Sequence, residues 1–307
     1  MISKIIRIIP PLRKLLIYLL IKTARLYPDK LFLKILFQLR TGYRLNLKNP
    51  QTFNEKLQWL KLNNRNPICT QMVDKIEVKK YVASIIGEEY LIPTLAVYES
   101  AEEIDFSILP NQFVLKCTHD SGGIVVCRDK SNLDINVAKE KMKKGLKRDY
   151  FYRNREWPYK NVLHRIIAEQ YMEDESGYEL KDYKFFCFDG VPKLLFVATD
   201  RGLIYEETKF DFYDMQFNHL PFTNGHPNSN KTIIRPRGFE QMKDIAAKLS
   251  KGFPHLRVDL YDINGRVYFG ELTFYHWSGM TPFEPIEWDY KLGNLIELPN
   301  SKEVFIG

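Results

Sequence analysis

The chain has 307 residues, enough for one large or two modest domains around a sizeable core. Its 45% hydrophobic and 27% charged content is that of an ordinary globular protein. The net charge of +7 is unevenly held: residues 1–48 carry eleven Lys and Arg against one acid, Asp29, so that segment is +10 and the remainder −3. A body of negative net charge excludes a basic nucleic-acid binder. Cys69, Cys117, Cys127 and Cys187 form no CxxC pair and read as buried thiols of a reducing compartment.

In chain order, the basic arm comes first. Its apolar run, Leu15 to Ile21, lies between Lys14 and Lys22 and falls far short of the ~20 residues that span a bilayer. Pro10, Pro11 and Arg13 interrupt it as a secretory signal. Two readings stay open: a basic amphipathic segment on an anionic membrane surface, or a helix docked on the body. Residues 12–40 read as helical. Thr52-Phe-Asn-Glu55 is a capping box opening a helix through Leu62, and a second helix is expected from Val73 to Ile86, stopped by Gly87. Leu91–Tyr98 reads as a strand.

Strands are then expected at Phe113–Cys117 and Ile124–Cys127, joined by Thr118–Gly123, with a basic helix near 135–148 and an aromatic loop from Tyr150 to Tyr159. Ile166–Met172 reads as a strand. Tyr183–Phe188 and Lys193–Ala198 form a hairpin around Asp189-Gly190, and residues 237–250 read as a helix. A last hairpin folds around Asn264-Gly265, and the Pro- and aromatic-rich remainder closes over the site. The layout is α+β with antiparallel hairpins. It lacks the alternating βα units of a parallel dinucleotide-binding fold.

The last hairpin carries the densest chemistry. It brings Asp259 near Glu271, with Arg257 two residues away on the same strand face. Paired carboxylates call for a cation such as Mg2+, and the arginine suits a phosphate or an oxyanion. Lys116, followed by Ser121-Gly122-Gly123, can reach a phosphate that glycine N–H groups wrap, although a plain turn with a solvated lysine gives the same pattern. Glu169 and Met172 end an apolar strand where a purine could bond; a solvent-facing Glu is the alternative. Asp182-Tyr183-Lys184 and Asp200-Arg201 are surface ion pairs or anion ligands. Lys75 reads as a phosphate contact or a solvated helix face. The histidines lack zinc spacing, leaving His119 and His276 as substrate contacts, and no serine elbow or cysteine nucleophile is present.

In this order the pieces resemble the ATP-grasp superfamily, most closely the TupA-like group of polysaccharide and teichuronopeptide biosynthesis. The resemblance rests on Asn49–Lys56, Asp74-Lys75, Phe113–Lys116 with Ser121–Gly123, Glu169–Tyr171, Asp182–Phe185 with Asp189-Gly190, and Arg257 to Glu271. It implies an α+β ATP-grasp fold: a helical arm at 1–48, a region at 49–110, and a body at 111–300 divided into a lid at 111–172 and a metal and nucleotide part at 173–300. It further implies ATP held by Lys75, Lys116 and Lys184 and by the lid His119, Ser121, Gly122 and Gly123. Glu169, Gln170, Tyr171 and Met172 would form the adenine hinge, and Asp259, Glu271 and Thr273 would hold Mg2+. Arg257, Lys184 and Arg201 would act in catalysis. Thr273 stands where such ligases place Asn.

The activity implied is amide formation between a uronic-acid carboxylate of a surface glycan or its precursor and the amine of an amino acid or amino sugar. The setting implied is cytoplasmic, with residues 1–48 at the inner face of a bacterial plasma membrane. A kinase acting on a glycan hydroxyl and a non-catalytic ATP-binding adaptor in capsule assembly are the alternatives; Arg257 favours the ligase.

Overall fold

The computed structural model describes residues 10–120, 122–174, 176–177, 180–200 and 207–299. Ser121 and Arg201, both expected in the site, lie outside the described residues.

The first two helices among the described residues are α1 (Pro10–Lys22) and α2 (Asp29–Thr41), separated by a 3-10 turn, Ala24–Leu26, and by Pro28, which caps α2. Phe32, Leu33, Leu36 and Phe37 of α2 are buried with Leu20 and Met280. Arg155 anchors the pair: its Nε meets Asp29 Oδ1 at 2.7 Å, and Nη2 donates to the Ala24 carbonyl at 2.6 Å. The expected capping box is present at Thr52, starting α3 (Phe53–Asn63). The helix expected from Val73 to Ile86 starts later, as α5 (Glu77–Ile86), and Val73 instead ends a separate short helix, α4 (Ile68–Val73). Asp74 divides them, because its carboxylate accepts the Ile76 N–H at 2.8 Å and the Arg165 guanidinium at 3.1 Å, which holds its backbone extended.

The smaller sheet has the order β1-β4-β2-β3, from β1 (Thr94–Tyr98), β2 (Phe113–Cys117), β3 (Ile124–Cys127) and β4 (Ile166–Gln170). It therefore draws a strand from before residue 111. α6 (Ile135–Leu146) covers one face, burying Ala138 and Met142 against Phe113, Leu115 and Cys117. The stretch from Tyr150 to Tyr159 is not a loop throughout: it holds a short helix, α7 (Tyr150–Asn154), and a 3-10 turn beginning at Trp157.

The larger sheet has six antiparallel strands in the order β11-β10-β5-β6-β7-β8. These are β5 (Asp182–Phe188), β6 (Val191–Thr199), β7 (Lys209–Asp214), β8 (His219–Leu220), β10 (Leu256–Ile263) and β11 (Arg266–Thr273). β9 (Thr223–Asn224) pairs separately with β12 (Phe283–Glu284). Every residue of β5 is buried, as expected of a central strand covered on both faces. α8 (Phe239–Ser250) packs across β5, β6 and β10, and α9 (Glu287–Asn294) packs on α3. The β10–β11 hairpin turns at Asn264 (φ 56°) and Gly265 (φ 90°), the pair of positive φ values that a two-residue hairpin of this twist requires. No helix among the described residues is long and apolar enough to cross a membrane.

Candidate active site

The two sheets face one another across a cleft of about 300 Å³. Alternation along β2 sends Phe113, Leu115 and Cys117 into the core and leaves Lys116 for the cleft. β4 supplies Glu169, β5 supplies Asp182 and Lys184, β10 supplies Asp259, and β11 supplies Glu271. Lys75 enters from the break before α5, and Lys79 from one helical turn further on. Gly122 and Gly123 line the rim. Gly123 has no room for a side chain: an added Cβ would lie 2.8 Å from Cys117 Sγ and 2.9 Å from Asp120 Oδ1.

At the small-sheet end, Glu169 bridges two lysines, 2.7 Å from Lys116 Nζ and 2.5 Å from Lys79 Nζ. Burial pushes its carboxyl up, but the two lysine charges outweigh that and hold it below the usual range. Lys75 Nζ donates to the Asp120 carbonyl at 2.6 Å. Three ammonium groups thus converge on one end of the cleft, as suits a polyphosphate.

At the large-sheet end, Arg257 donates twice to Asp259, from Nε at 2.7 Å and Nη2 at 2.8 Å, and Lys184 closes on the same carboxylate. Lys184 also meets Asp182 at 3.0 Å. Burial opposes the Asp259 charge, yet Arg257 and Lys184 hold its carboxyl below its ordinary value. Arg257 Nη2 donates to Thr273 Oγ1 at 2.9 Å, and Nη1 to His276 Nδ1 at 2.8 Å. Because Nδ1 accepts, the ring proton sits on Nε2, which donates to Asn224 Oδ1 at 2.8 Å. Burial and the neighbouring guanidinium push the His276 pKa well down, so the ring is neutral.

Glu271 differs from its cross-strand partner Asp259: among the described residues its carboxylate makes no hydrogen bond or ion pair. No group of three His, Cys, Asp or Glu is placed to hold a metal alone among those residues. The donors fit Mg2+ of the kind that keeps phosphate and water ligands, with Glu271 as the open carboxylate and Asp259 and Thr273 committed to Arg257.

A second cavity, of about 430 Å³, meets the first at Lys184 and Glu271, which line both. Arg257, Thr273 and His276 line it, with Arg40, Arg153, Glu156, Tyr150, Phe210 and Trp277. Its floor is a strained turn. Trp277, Ser278 and Gly279 all have left-handed backbones, with φ of 47°, 56° and 58°. Buried side chains pin that turn: Lys61 Nζ and Gln58 Nε2 each donate to the Ser278 carbonyl at 2.8 Å, and Ser278 Oγ donates to Glu156. Burial pushes the Glu156 carboxyl up.

The structure brings together Lys75, Lys116, Gly122, Gly123, Glu169, Lys184, Arg257, Asp259, Glu271 and Thr273. It places His119 elsewhere. That ring is buried, stacks on His164 at 3.5 Å, and bonds the Arg148 carbonyl through Nε2, and burial pushes it down to about 4. Gln170, Tyr171 and Met172, expected at the purine edge, do not line the cleft, and the Gln170 N–H is taken by the Pro93 carbonyl at 3.0 Å. The sequence reading missed Lys79, Arg40, Arg153, Glu156 and Trp277. Only Lys79 left a signal, its four-residue spacing from Lys75.

Two α+β layers gripping a lysine-lined cleft, with an arginine–carboxylate array at its far end, define an ATP-grasp architecture. The model of the TupA-like ATPgrasp family matches residues 55–297, and the chain belongs to that family. No curated protein matches the chain. Among solved structures it is similar to D-alanine–D-alanine ligase of Bacillus anthracis complexed with ATP, at 15% identity and a TM-score of 0.41, over 66% of this chain and 55% of that one. It is also similar to the Helicobacter pylori D-alanine–D-alanine ligase, at 14% identity and a TM-score of 0.45, over 81% and 67%. The third is N5-carboxyaminoimidazole synthase of Aspergillus clavatus in complex with ADP and 5-aminoimidazole ribonucleotide, at 14% identity and a TM-score of 0.42, over 75% and 52%. The match thus spans about half the length of the Bacillus anthracis and Aspergillus clavatus chains.

Proposed function

We propose that the protein is an ATP-dependent carboxylate–amine ligase. The observation that carries this is the junction of two cavities at Lys184 and Glu271, one lined by lysines and the other by arginines. In this reading Lys75, Lys79 and Lys116 hold the ATP phosphates in the first cavity. Lys184 sits where it can follow the transferring phosphoryl group. An acceptor carboxylate in the second cavity attacks the γ-phosphorus; the new O–P bond forms as the bond to ADP breaks. An amine then attacks the acyl carbon, with Arg257 facing the oxyanion that develops; the C–N bond forms as the C–O bond to phosphate breaks, and the amine's proton leaves with the phosphate. Mg2+ carried on the phosphates and Glu271 would neutralise charge at the junction. The protein's own work is positioning and electrostatics.

The acceptor we infer is a uronic-acid-bearing surface glycan or its precursor, with an amino acid or amino sugar as the amine, in polysaccharide biosynthesis. Family membership supports this, as does the half-exposed Trp277 ring, a stacking surface for a sugar. We also place the arm on an anionic membrane. α1 leaves Leu12, Leu15 and Leu19 exposed in a stripe flanked by Lys14 and Lys22, and the charge of residues 1–48 complements anionic lipid.

The test is to supply purified protein with ATP, Mg2+, a uronic-acid oligosaccharide and pooled amino acids. ADP and phosphate released only when carboxylate and amine are both present support the ligase. A phosphorylated acceptor formed without amine would replace it by a kinase, and ATP binding without turnover by an adaptor.

A further inference from the structure

The second cavity holds more positive charge than one acceptor carboxylate needs. Arg257 is already matched, by Asp259. Arg40, from the last turn of α2, and Arg153, from α7, also line the cavity. Neither makes a hydrogen bond, ion pair or ring contact among the described residues that would neutralise it. Burial and then the Arg153 charge push the Arg40 pKa down, against a smaller upward pull from Glu156 and Tyr150. Two like charges beside one another at a cavity wall repel, and a bound anion removes that cost. The cavity's own carboxylates do not cancel both charges. Glu156 attracts Arg40 but shares its single charge with the buried Lys61, and Glu271 stands at the junction with the first cavity.

We infer that Arg40 and Arg153 form a subsite for a second anionic group on the acceptor, so that the substrate carries at least two negative charges. This rests on reading the second cavity as the acceptor site. The carboxylate that reacts lies toward Lys184 and Glu271, and the second anion lies toward α2 and α7. Guanidinium forks match either a carboxylate or a phosphate. Arg40 precedes the segment matched by the family model, which starts at residue 55. The N-terminal helices therefore complete the acceptor pocket, and the charge preference of the enzyme is set from outside the ATP-grasp body. The positions of Arg155 on Asp29 and of Arg40 in the pocket make docking of α2 a condition for acceptor binding.

The experiment titrates the full chain, with and without Mg2+ and a non-hydrolysable ATP analogue, with butyrate, glutarate and 3-phosphonopropionate by calorimetry. Wild type is expected to bind the two dianions about tenfold or more tightly than butyrate. In R40Q/R153Q that preference disappears while affinity for the ATP analogue and thermal melting stay as in wild type, and R40K/R153K recovers part of it. A stronger response to 3-phosphonopropionate than to glutarate assigns the second group as phosphate, and the reverse as carboxylate. Equal binding of butyrate and both dianions by wild type overturns the inference, as does an unchanged preference in the double variant or no saturable binding of any probe. Dianion preference without nucleotide binding would leave the subsite standing and remove the ligase reading instead.

Discussion

Arg257 holds Asp259 through Nε and Nη2, the two residues lying two apart on β10, where the strand pleat puts them on one face. The consequence falls on Glu271, which faces Asp259 across the hairpin and carries no such partner. The two carboxylates should therefore answer differently to neutralisation. Asp259→Asn leaves Arg257 buried without its anion and Lys184 with Asp182 alone, and unfolding free energy is expected to drop by about 3 kcal/mol or more. Glu271→Gln is expected to stay within about 0.5 kcal/mol of wild type, while the Mg2+ concentration needed for nucleotide binding rises. Urea melts and a Mg2+ titration read both effects. A Glu271→Gln protein with unaltered Mg2+ dependence would remove that residue from the metal site.

Arg257→Lys tests the oxyanion role. A lysine keeps the charge but loses the fork that engages Asp259, Thr273 and His276 together. Turnover is expected to fall about a hundredfold or more, with nucleotide affinity nearly unchanged. Parallel loss of both would mean that Arg257 binds ATP rather than the transition state.

This hairpin was legible in the sequence because three independent signals coincide there. The runs alternate, Asn264-Gly265 supplies the turn, and the turn fixes the register that pairs Asp259 with Glu271. Lys116 and Glu169 were legible for a similar reason, as charged residues on short apolar strands. His119 misled because a histidine in a glycine loop gives no direction for its ring, and packing on His164 decided it. Arg40, Arg153 and Trp277 reach one cavity from three distant segments, a coincidence of tertiary packing that no local pattern records. The helix break at Asp74 was hidden for a related reason, since the partner that holds it, Arg165, is remote in sequence.

Glu169 ties Lys79 and Lys116 to one carboxylate at the cleft wall and offsets their mutual repulsion. Lys116→Met and Lys79→Met are each expected to weaken ADP binding about tenfold. Because both lysines share one carboxylate, the double variant should depart from additivity. Calorimetry on the two single variants and the double variant decides. ADP affinity unchanged in Lys116→Met would place the phosphates elsewhere.

Stability should fall with acid. His119 and His255 are pushed by burial to about 4 and about 3, and His276 well below its ordinary value. Below their unfolded pKa of about 6.5 the unfolded chain binds more protons than the folded one. Their contribution is thus complete above that pH and is lost as pH falls toward the folded values, by up to about 1.4 kcal/mol per pH unit for each ring. Asp289 works the other way: burial raises it to about 6, so it favours the fold on acidification from that pH toward its ordinary 3.8. Glu156 and Asp211, also raised by burial, act in the same sense as Asp289 and offset part of the loss from the three rings. Urea midpoints at about pH 7.5 and about pH 5 measure it, and a higher midpoint at the acid end would contradict the neutral-ring assignment.

The stripe on α1 makes the last prediction. Leu15 and Leu19 are exposed on a helix whose other side packs through Leu20 against the buried face of α2. Replacing them by Ser removes apolar surface without touching that packing, so melting is expected to stay put. Binding to vesicles of anionic phosphatidylglycerol should weaken sharply, and replacing Lys14 and Lys22 by Gln should weaken it further at low salt. Phosphatidylcholine vesicles should bind little throughout, because they offer the apolar interior without the charge that the arm's basic residues seek. Wild-type protein that ignores anionic vesicles would leave the arm with its packing role alone. Binding that survives Leu15→Ser with Leu19→Ser but disappears with Lys14→Gln and Lys22→Gln would reduce the contact to electrostatics.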